Sequence, residues 1–235
     1  MRTEWVTLHV GDGSAMRAFV ARPAGAARRP GLLLFQEAFG VNAHIRDVAT
    51  RFAREGYVVI APEVFHRTAP PGFEGVYGDW GSIERHFRAI TTQGLEADAV
   101  AAHAWLSADP EVDHDRLGSV GFCMGGRASW IASTALPLRV AVSFYGGGIA
   151  PALIDRAQNA QGRLLFFWAG RDKNILPEHH RALVDALRAA DKAYVSVEFG
   201  VAEHAFFCDA RPSYHPTAAA EAWALTLAFL KDALE

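Results

Sequence analysis

The chain has 235 residues, a formal net charge of −3, 51% hydrophobic residues and 21% charged residues. This composition excludes wholesale disorder, and the length fits one α/β domain, which often reaches about 250 residues, so we expect residues 1–235 to form a single domain. The small negative charge, with Arg28 and Arg29 as an isolated basic pair, excludes the cationic surface that a nucleic-acid-binding protein needs.

The first predicted elements are two strands, Trp5–Val10 and Met16–Ala21, and the residues GDGSA between them indicate an antiparallel hairpin at a sheet edge. Arg2 and Glu4 interrupt the apolar stretch that a signal peptide would need at this end. No apolar run approaches the roughly 18 residues of a membrane span. We therefore predict a cytoplasmic protein with no membrane partner.

Apolar runs alternate with amphipathic stretches through the rest of the chain. Further strands are predicted at Gly31–Phe35, Tyr57–Ala61, Leu117–Gly121, Val140–Tyr145, Leu164–Ala169 and Tyr194–Phe199. Helices are predicted at about Ala43–Glu55, Leu95–Ser107, Met124–Ser133, Glu178–Ala190 and Ala218–Leu234. The alternation predicts an α/β fold with a mostly parallel sheet of about 8 strands and helices on both faces. Such a sheet binds ligands at the carboxyl ends of its strands.

The segment GFCMGG follows one of these strands and precedes a helix. Gly121, Cys123 and Gly125 have the G-x-nucleophile-x-G spacing of the α/β-hydrolase elbow, in which glycines prevent clashes around a strained turn. The helix that follows directs its N-terminal dipole at the thiol and favours the thiolate. The alternative is a small buried cysteine in a glycine-rich turn.

With Cys208, the chain has two cysteines. Two are too few for a disulfide scaffold, and they lack the spacing of a zinc site, so no metal or cofactor is predicted.

Two further strand ends carry residues that complete a catalytic triad. Asp172 follows the apolar run Leu164–Trp168, and His204 follows the last predicted strand. The chain order nucleophile, acid, histidine is the one that the α/β-hydrolase fold uses. The alternatives are a turn or helix-capping aspartate and a structural histidine, the interpretation that we give to the other nine histidines. In the catalytic interpretation, Asp172 orients His204, which serves Cys123 as base.

Glu37 follows another predicted strand, in the apolar sequence LLLFQEAFGVN. A carboxylate in such surroundings needs a partner, because burial removes its hydration. The alternative is a cap for a helix that starts near Asn42. The backbone N–H groups of Ala38 and Met124 are predicted to form the oxyanion hole, since one donor follows the nucleophile and the other lies in the loop after this earlier strand.

These residues resemble the dienelactone hydrolase family, the carboxymethylenebutenolidases. The matching stretches are QEAFGVN at Gln36–Asn42, GFCMGG at Gly121–Gly126, SFYGGG at Ser143–Gly148 and EHAFF at Glu203–Phe207. The resemblance spans almost the whole chain and implies that Cys123, Asp172 and His204 are the triad. It also implies that Glu37 holds the resting thiol until substrate displaces it, whereupon Glu37 takes the thiol proton. The thiolate would then open a lactone ring, and water would release the acid from the thioester.

The chain departs from the family at the site for the substrate carboxylate. The resemblance implies one arginine four residues after the catalytic histidine, where this chain has Cys208, and the nearest basic residue is Arg211. It implies a second arginine in the lid segment, which could be Arg85 or Arg88. Tyr145, directly after a strand, completes the predicted substrate-binding residues.

For Arg211, the alternative to a role in the pocket is a surface ion pair with Asp209. The predicted function is therefore hydrolysis of a small lactone or related ester through a cysteine thioester, with a small and possibly anionic substrate. The alternatives are a non-catalytic binding protein of the same fold and a general esterase or thioesterase. We expect a monomer or small homo-oligomer.

Overall fold

The computed structural model describes residues 1–25 and 27–235. Eight strands lie within this part of the chain and form one sheet. They are β1 (Arg2–His9), β2 (Ala15–Arg22), β3 (Arg29–Phe35), β4 (Val58–Pro62), β5 (Val112–Phe122), β6 (Val140–Phe144), β7 (Arg163–Ala169) and β8 (Tyr194–Phe199). The sheet order is β1-β2-β4-β3-β5-β6-β7-β8. The predicted strands are thus all present.

The sheet is antiparallel only at its first edge. β1 pairs with β2, and β2 with β4, in antiparallel register, which confirms the predicted edge hairpin. From β4 to β8 every neighbouring pair is parallel. The carboxyl ends of β3, β5, β6, β7 and β8 therefore lie along one edge of the sheet, where the predicted site residues follow them.

The described residues also contain six α-helices: α1 (Ala43–Arg54), α2 (Glu84–Arg88), α3 (Thr92–Ala108), α4 (Met124–Ala135), α5 (Pro177–Ala189) and α6 (Pro216–Leu234). Five of these match the predicted helices. The short α2 and two 3-10 turns, Trp80–Ser82 and Ile154–Asn159, were not predicted. No helix of the described residues combines the length and the apolar character that crossing a membrane requires.

Alternate side chains of the central strands enter separate cores on the two faces of the sheet. Leu32 and Leu34 of β3 pack in the cluster that contains residues of α1 and α6. Leu33 and Phe35 pack in the cluster that contains residues of α3 and α4. Because both faces are covered, the central strands are apolar throughout, as expected of a parallel sheet. The sheet body is filled, and the strand ends remain available for chemistry.

Candidate active site

Cys123 lies in the tight turn between β5 and α4. Its backbone has φ 56° and ψ −117°, a left-handed conformation that a non-glycine residue keeps only where its surroundings enforce it. The Cys123 N–H donates to the Phe144 carbonyl at 3.0 Å, and the Cys123 carbonyl accepts from the Gly126 N–H at 2.9 Å. The thiol is half-buried. The turn therefore holds the sulfur at the carboxyl edge of the sheet.

The glycines of the elbow are required by close backbone approaches. A β-carbon at Gly121 would collide with the Gly125 carbonyl group, and one at Gly125 would collide with the carbonyls of Phe35 and Gln36 at the end of β3. Both collisions involve backbone atoms, which cannot move aside as a side chain can. The spacing of GFCMGG thus has the steric cause that the sequence pattern predicts.

His204 lies between Cys123 and Asp172. Its Nε2 is 3.1 Å from Cys123 Sγ, and its Nδ1 is 2.6 Å from Asp172 Oδ2. Burial would lower the pKa of His204, but the charge of a Cys123 thiolate and the hydrogen bonds to Asp172 and Cys123 outweigh burial and raise the pKa to about 10. The surroundings therefore favour an imidazolium that faces the sulfur.

Asp172 uses its two carboxylate oxygens for different partners. Oδ1 accepts from the N–H groups of Asn174 at 2.8 Å and Ile175 at 3.1 Å, while Oδ2 faces His204. Burial raises the pKa of this carboxyl, but the hydrogen bonds and the charge of His204 lower the pKa by a larger amount. The net shift of the pKa is therefore downward. Asp172 therefore serves both as the turn aspartate and as the partner of His204. Its hydrogen bonds within the turn hold the carboxylate that faces the imidazole.

Glu37 lies at the end of β3 with 1% of its surface exposed. Among the described residues neither carboxylate oxygen has a hydrogen-bond partner, and the nearest cation is Arg211, whose Nη1 is 3.6 Å from Glu37 Oε1. The helix-cap interpretation of Glu37 is wrong, because Asn42 caps α1 by accepting from the Ile45 N–H at 3.2 Å. A buried carboxylate without hydrogen bonds is costly, which makes a purely structural role difficult to explain.

Comparison with known proteins identifies the family of this chain. Residues 16–234 match the model of the dienelactone hydrolase family. The chain belongs to the dienelactone hydrolase family. It is 35% identical over 214 residues to a Synechocystis protein, with 87% of each chain covered, and 32% identical over 234 residues to an Escherichia coli protein, with 94% of this chain and 84% of the relative covered. Both relatives carry the name "putative carboxymethylenebutenolidase".

A solved structure from Klebsiella pneumoniae, titled as a putative dienelactone hydrolase, superposes with a TM-score of 0.85. It shares 30% sequence identity, and the alignment covers 98% of this chain and 99% of that one. The dienelactone hydrolase fold, an α/β-hydrolase fold, is therefore confirmed, and membership of the family supports a hydrolase.

The family resemblance implied that Glu37 holds the resting thiol, and the structure differs on this point. The hydrogen-bond partner of Cys123 Sγ is His204, whereas the cation nearest to the Glu37 carboxylate is Arg211. The attraction between the carboxylate and the guanidinium gives a physical reason for the difference, because it stabilises Glu37 away from the sulfur.

Arg211 lies beside Glu37, with its Nη1 3.6 Å from Glu37 Oε1. Its guanidinium packs over the rings of Phe39 and Tyr77, at 5.4 Å and 5.8 Å from their centroids. The alternative of a surface pair with Asp209 is wrong, since Asp209 faces His44 Nδ1 at 3.2 Å. A substrate-binding role for Arg211 stays a prediction.

The two lid arginines lie on α2, which was not predicted as a helix. Arg88 is exposed and pairs with Glu84 at 2.6 Å. Arg85 is also exposed, and within residues 1–25 and 27–235 it forms no ion pair. Ile83, just before α2, packs with Ala38 and Phe39. The segment around Ile83 therefore lies beside the site. Among the described residues, neither Arg85 nor Arg88 forms a hydrogen bond with a residue of the site.

Tyr145 packs against His204 in the interior of the protein. Its side chain is fully buried, its ring is 5.1 Å from that of His204, and its hydroxyl has no hydrogen-bond partner among the described residues. Burial and the charge of Glu37 raise its pKa well above the usual value. The hydroxyl therefore stays neutral, and Tyr145 supports the imidazole ring. Contact with substrate stays a prediction.

Of the predicted oxyanion-hole donors, Met124 begins α4 directly after Cys123, and Ala38 lies in the loop after the neighbouring strand β3. Ala38 and Met124 are buried at the ends of β3 and β5. Within the described part of the chain, the N–H groups of both residues lack a backbone or side-chain acceptor. Free N–H groups beside a nucleophile can stabilise the negative oxygen of a tetrahedral intermediate.

Sequence reasoning did not identify the polar groups around Cys208. Its thiol contacts the Tyr77 hydroxyl at 3.4 Å, which also accepts from Asn42 Nδ2 at 2.8 Å. Burial and the nearby Glu37 raise the pKa of Cys208 to about 11. His44, Cys208 and Asp209 offer ligand atoms within 4.8 Å of one another, a donor set that could hold a metal ion. The one sequence signal for this cluster was that Cys208 stands four residues after His204, where the family resemblance implies an arginine.

Proposed function

We propose that the protein is a cysteine-dependent hydrolase that opens a small lactone or cleaves a related carboxylic ester. The observation that supports this most directly is the continuous chain from Asp172 through His204 to Cys123, with contacts of 2.6 Å and 3.1 Å. A histidine that is oriented by a carboxylate and faces a thiol is the arrangement that activates a nucleophile. The names of the carboxymethylenebutenolidase relatives support a lactone. Residues 1–235 would form one domain, and the reaction needs no cofactor.

The geometry supports a two-stage mechanism. His204 holds the proton of Cys123, and the thiolate attacks the carbonyl carbon to form a carbon–sulfur bond. The oxyanion is stabilised by the N–H groups of Ala38 and Met124. When the intermediate collapses, the carbon–oxygen bond breaks and the leaving oxygen, an enolate in an unsaturated lactone, takes the proton from His204. Water, deprotonated by His204, then cleaves the thioester and restores the thiol.

Turnover of a panel of small lactones and short-chain esters tests this function. We expect the wild type to hydrolyse at least one class of these substrates and the Cys123→Ala variant to hydrolyse none at a comparable rate. A non-catalytic binding protein would bind members of the panel without turnover. A general esterase would cleave acyclic esters as well as lactones, since both substrates use the same apparatus.

Exchange of Glu37 for glutamine is expected to lower turnover with little change in thermal stability. The exchange removes a buried charge that accepts no hydrogen bond, but it also removes the partner of Arg211. The two effects on stability oppose each other, whereas the site loses the carboxylate that holds the guanidinium in place. Melting temperature and kcat/KM should be measured together.

Glu63 provides a matched control for the Glu37 exchange. It is also buried, but its carboxylate accepts the Gly72 N–H at 3.0 Å. Glu63→Gln keeps an oxygen that can accept this N–H and lies outside the site, so it should leave the kinetics unchanged and stability nearly so. If Glu37→Gln behaved in the same way as Glu63→Gln, Glu37 would have a structural role only.

We further propose that the substrate is anionic and that Arg211 contacts its carboxylate. A guanidinium forms paired, charge-assisted hydrogen bonds with a carboxylate. Arg211→Ala should lower kcat/KM for an acidic lactone by about 10-fold to 100-fold, because a charged hydrogen bond contributes about 1.5–3 kcal/mol. The methyl ester of the same lactone should be affected much less.

Arg85→Ala and Arg88→Ala should be measured beside Arg211→Ala. An equal loss for acid and methyl ester in Arg211→Ala would rule out a clamp and favour a neutral substrate. A selective loss in Arg85→Ala would assign the carboxylate to the lid helix instead.

A further inference from the structure

Arg127 is a partly buried arginine that has no carboxylate partner among the described residues. It lies in the first turn of α4, four residues after Cys123, and its Nε is buried without a hydrogen-bond partner. Within residues 1–25 and 27–235 its guanidinium forms no ion pair with a carboxylate. Burial lowers the pKa of Arg127, which the charge of Cys123 partly offsets. The cation is therefore retained at an energetic cost.

Other arginines of this protein show how buried guanidinium groups are normally compensated. Arg22 is within 3.0 Å of Glu4 and within 2.6 Å of Asp109. Arg67 contacts both oxygens of the fully buried Asp98. Breaking such a pair is strongly destabilising, because it leaves a buried charge uncompensated. Arg127 is half-buried and has no such carboxylate among the described residues, and its buried Nε has no hydrogen-bond partner there.

The position of Arg127 places it beside the nucleophile and away from Arg211. Arg127 follows the elbow directly in α4, and the Cys123 N–H donates to the carbonyl of Phe144 at the end of β6. A β-carbon at Gly148, in the loop after β6, would lie 3.0 Å from Arg127 Nη1, so the guanidinium lies against this loop. In the sheet, β5 separates β6 from β3, where Arg211 contacts Glu37. The two arginines therefore flank Cys123 from opposite sides.

We propose that Arg127 forms an anion-binding subsite on the β6 side of Cys123, which binds a carboxylate group of the substrate. The proposal rests on the proposed function, because it makes the bound anion part of the hydrolysed molecule. The subsite is independent of Arg211, whose charge is already opposed by Glu37. A planar guanidinium without internal partners has its donors free for a carboxylate, which it can bind through two parallel hydrogen bonds.

Alkylation of Cys123 by iodoacetate and by iodoacetamide tests the subsite without any need for turnover. Both reagents form a carbon–sulfur bond with the thiolate and release iodide, and they differ in charge. We expect the ratio of the iodoacetate rate to the iodoacetamide rate to fall about tenfold or more in Arg127→Gln, and to stay near the wild-type ratio in Arg127→Lys. Rates should be followed at the Cys123 peptide by mass spectrometry.

Two further variants separate the subsite from its alternatives. Arg156→Gln removes the same charge from a residue that pairs with Glu96 at 2.6 Å, and it should leave the ratio unchanged. Arg211→Gln should lower the ratio less than Arg127→Gln does, because Glu37 already opposes the charge of Arg211. The proposal is overturned if both alkylation rates fall in parallel in Arg127→Gln, since Arg127 would then act on the sulfur, or if Arg156→Gln lowers the ratio equally.

A measurement that needs no change at Arg127 covers the case in which Arg127→Gln does not fold. In the Arg211→Gln variant, benzoate should protect Cys123 from iodoacetamide in a saturable way, and benzamide should not. Equal protection by both compounds, or by neither, would contradict the subsite. Failure of the proposed function is a separate outcome, namely an intact anion preference in a protein that hydrolyses no lactone or ester.

Discussion

Exchange of Cys123 for alanine is expected to lower kcat/KM for any substrate of this protein by about 10⁴-fold or more. The sulfur is the only group of the triad that can form the covalent intermediate, and an intact oxyanion hole with substrate binding supplies only about 10³-fold to 10⁴-fold over water in triad enzymes. The fold should be unaffected, because the small side chain is half-buried and alanine keeps its β-carbon. Steady-state kinetics and melting temperature together check this prediction.

Cys208 is the matched control for the Cys123 exchange. It is fully buried, and its pKa is raised to about 11, so at neutral pH it is a neutral thiol and a poor nucleophile. We expect one equivalent of iodoacetamide to label Cys123 and to abolish turnover, with Cys208 unlabelled and Cys208→Ala still active. Near-full activity of Cys123→Ala would contradict the thioester mechanism.

The elbow and its two partners could be predicted because they depend on local rules. The spacing of GFCMGG follows from collisions that any β-carbon at Gly121 or Gly125 would cause. Asp172 follows the buried strand β7, and His204 follows the partly exposed edge strand β8. Parallel strands bring their carboxyl ends to one edge. Sequence therefore predicted the proximity of three residues that are up to 81 positions apart.

Elements without an apolar pattern could not be predicted in this way. β5 extends five residues before the predicted start, through the polar sequence VDHDR, where Val112 pairs with Arg29 of β3. This extension depends on a neighbouring strand rather than on local hydrophobicity. α2 has five residues, too few to show a helical period.

The charges around the site were the least predictable feature. Glu37 and Arg211 contact each other across 174 positions of the chain, counted from 37 to 211, and neither residue type indicates the other. Arg127 was not recognised, because an arginine in a helical pattern is ordinarily a surface residue. The structure shows that Arg127 has no carboxylate partner among the described residues. Arg127 is thus a cation on the β6 side of the elbow, in addition to Arg211 on the β3 side.

Exchanges at Asp172 and His204 are expected to act as a unit rather than independently. Asp172 holds His204 Nδ1, so that Nε2 can serve the sulfur, and loss of either residue removes the same function. Asp172→Asn should cost up to about 10⁴-fold in kcat, by analogy with the triad exchange that turns the imidazole to the wrong tautomer. The asparagine oxygen can still accept from the Asn174 and Ile175 N–H groups, which preserves the turn.

The double variant Asp172→Asn, His204→Ala should therefore be about as slow as the slower single variant. Asp172→Asn also removes one of the interactions that raise the pKa of His204. The imidazolium attracts iodoacetate, so the alkaline limb of the rate of Cys123 alkylation by iodoacetate should move to lower pH. The pair His44 and Asp209 offers a matched control, since its Nδ1 to Oδ1 distance is 3.2 Å and it does not contact Cys123. Asp209→Asn should leave both the kinetics and the pH profile unchanged.

The double variant also defines the result that would contradict this prediction. If its loss in rate equalled the product of two large single losses, Asp172 and His204 would contribute independently. The 2.6 Å contact between them predicts the opposite.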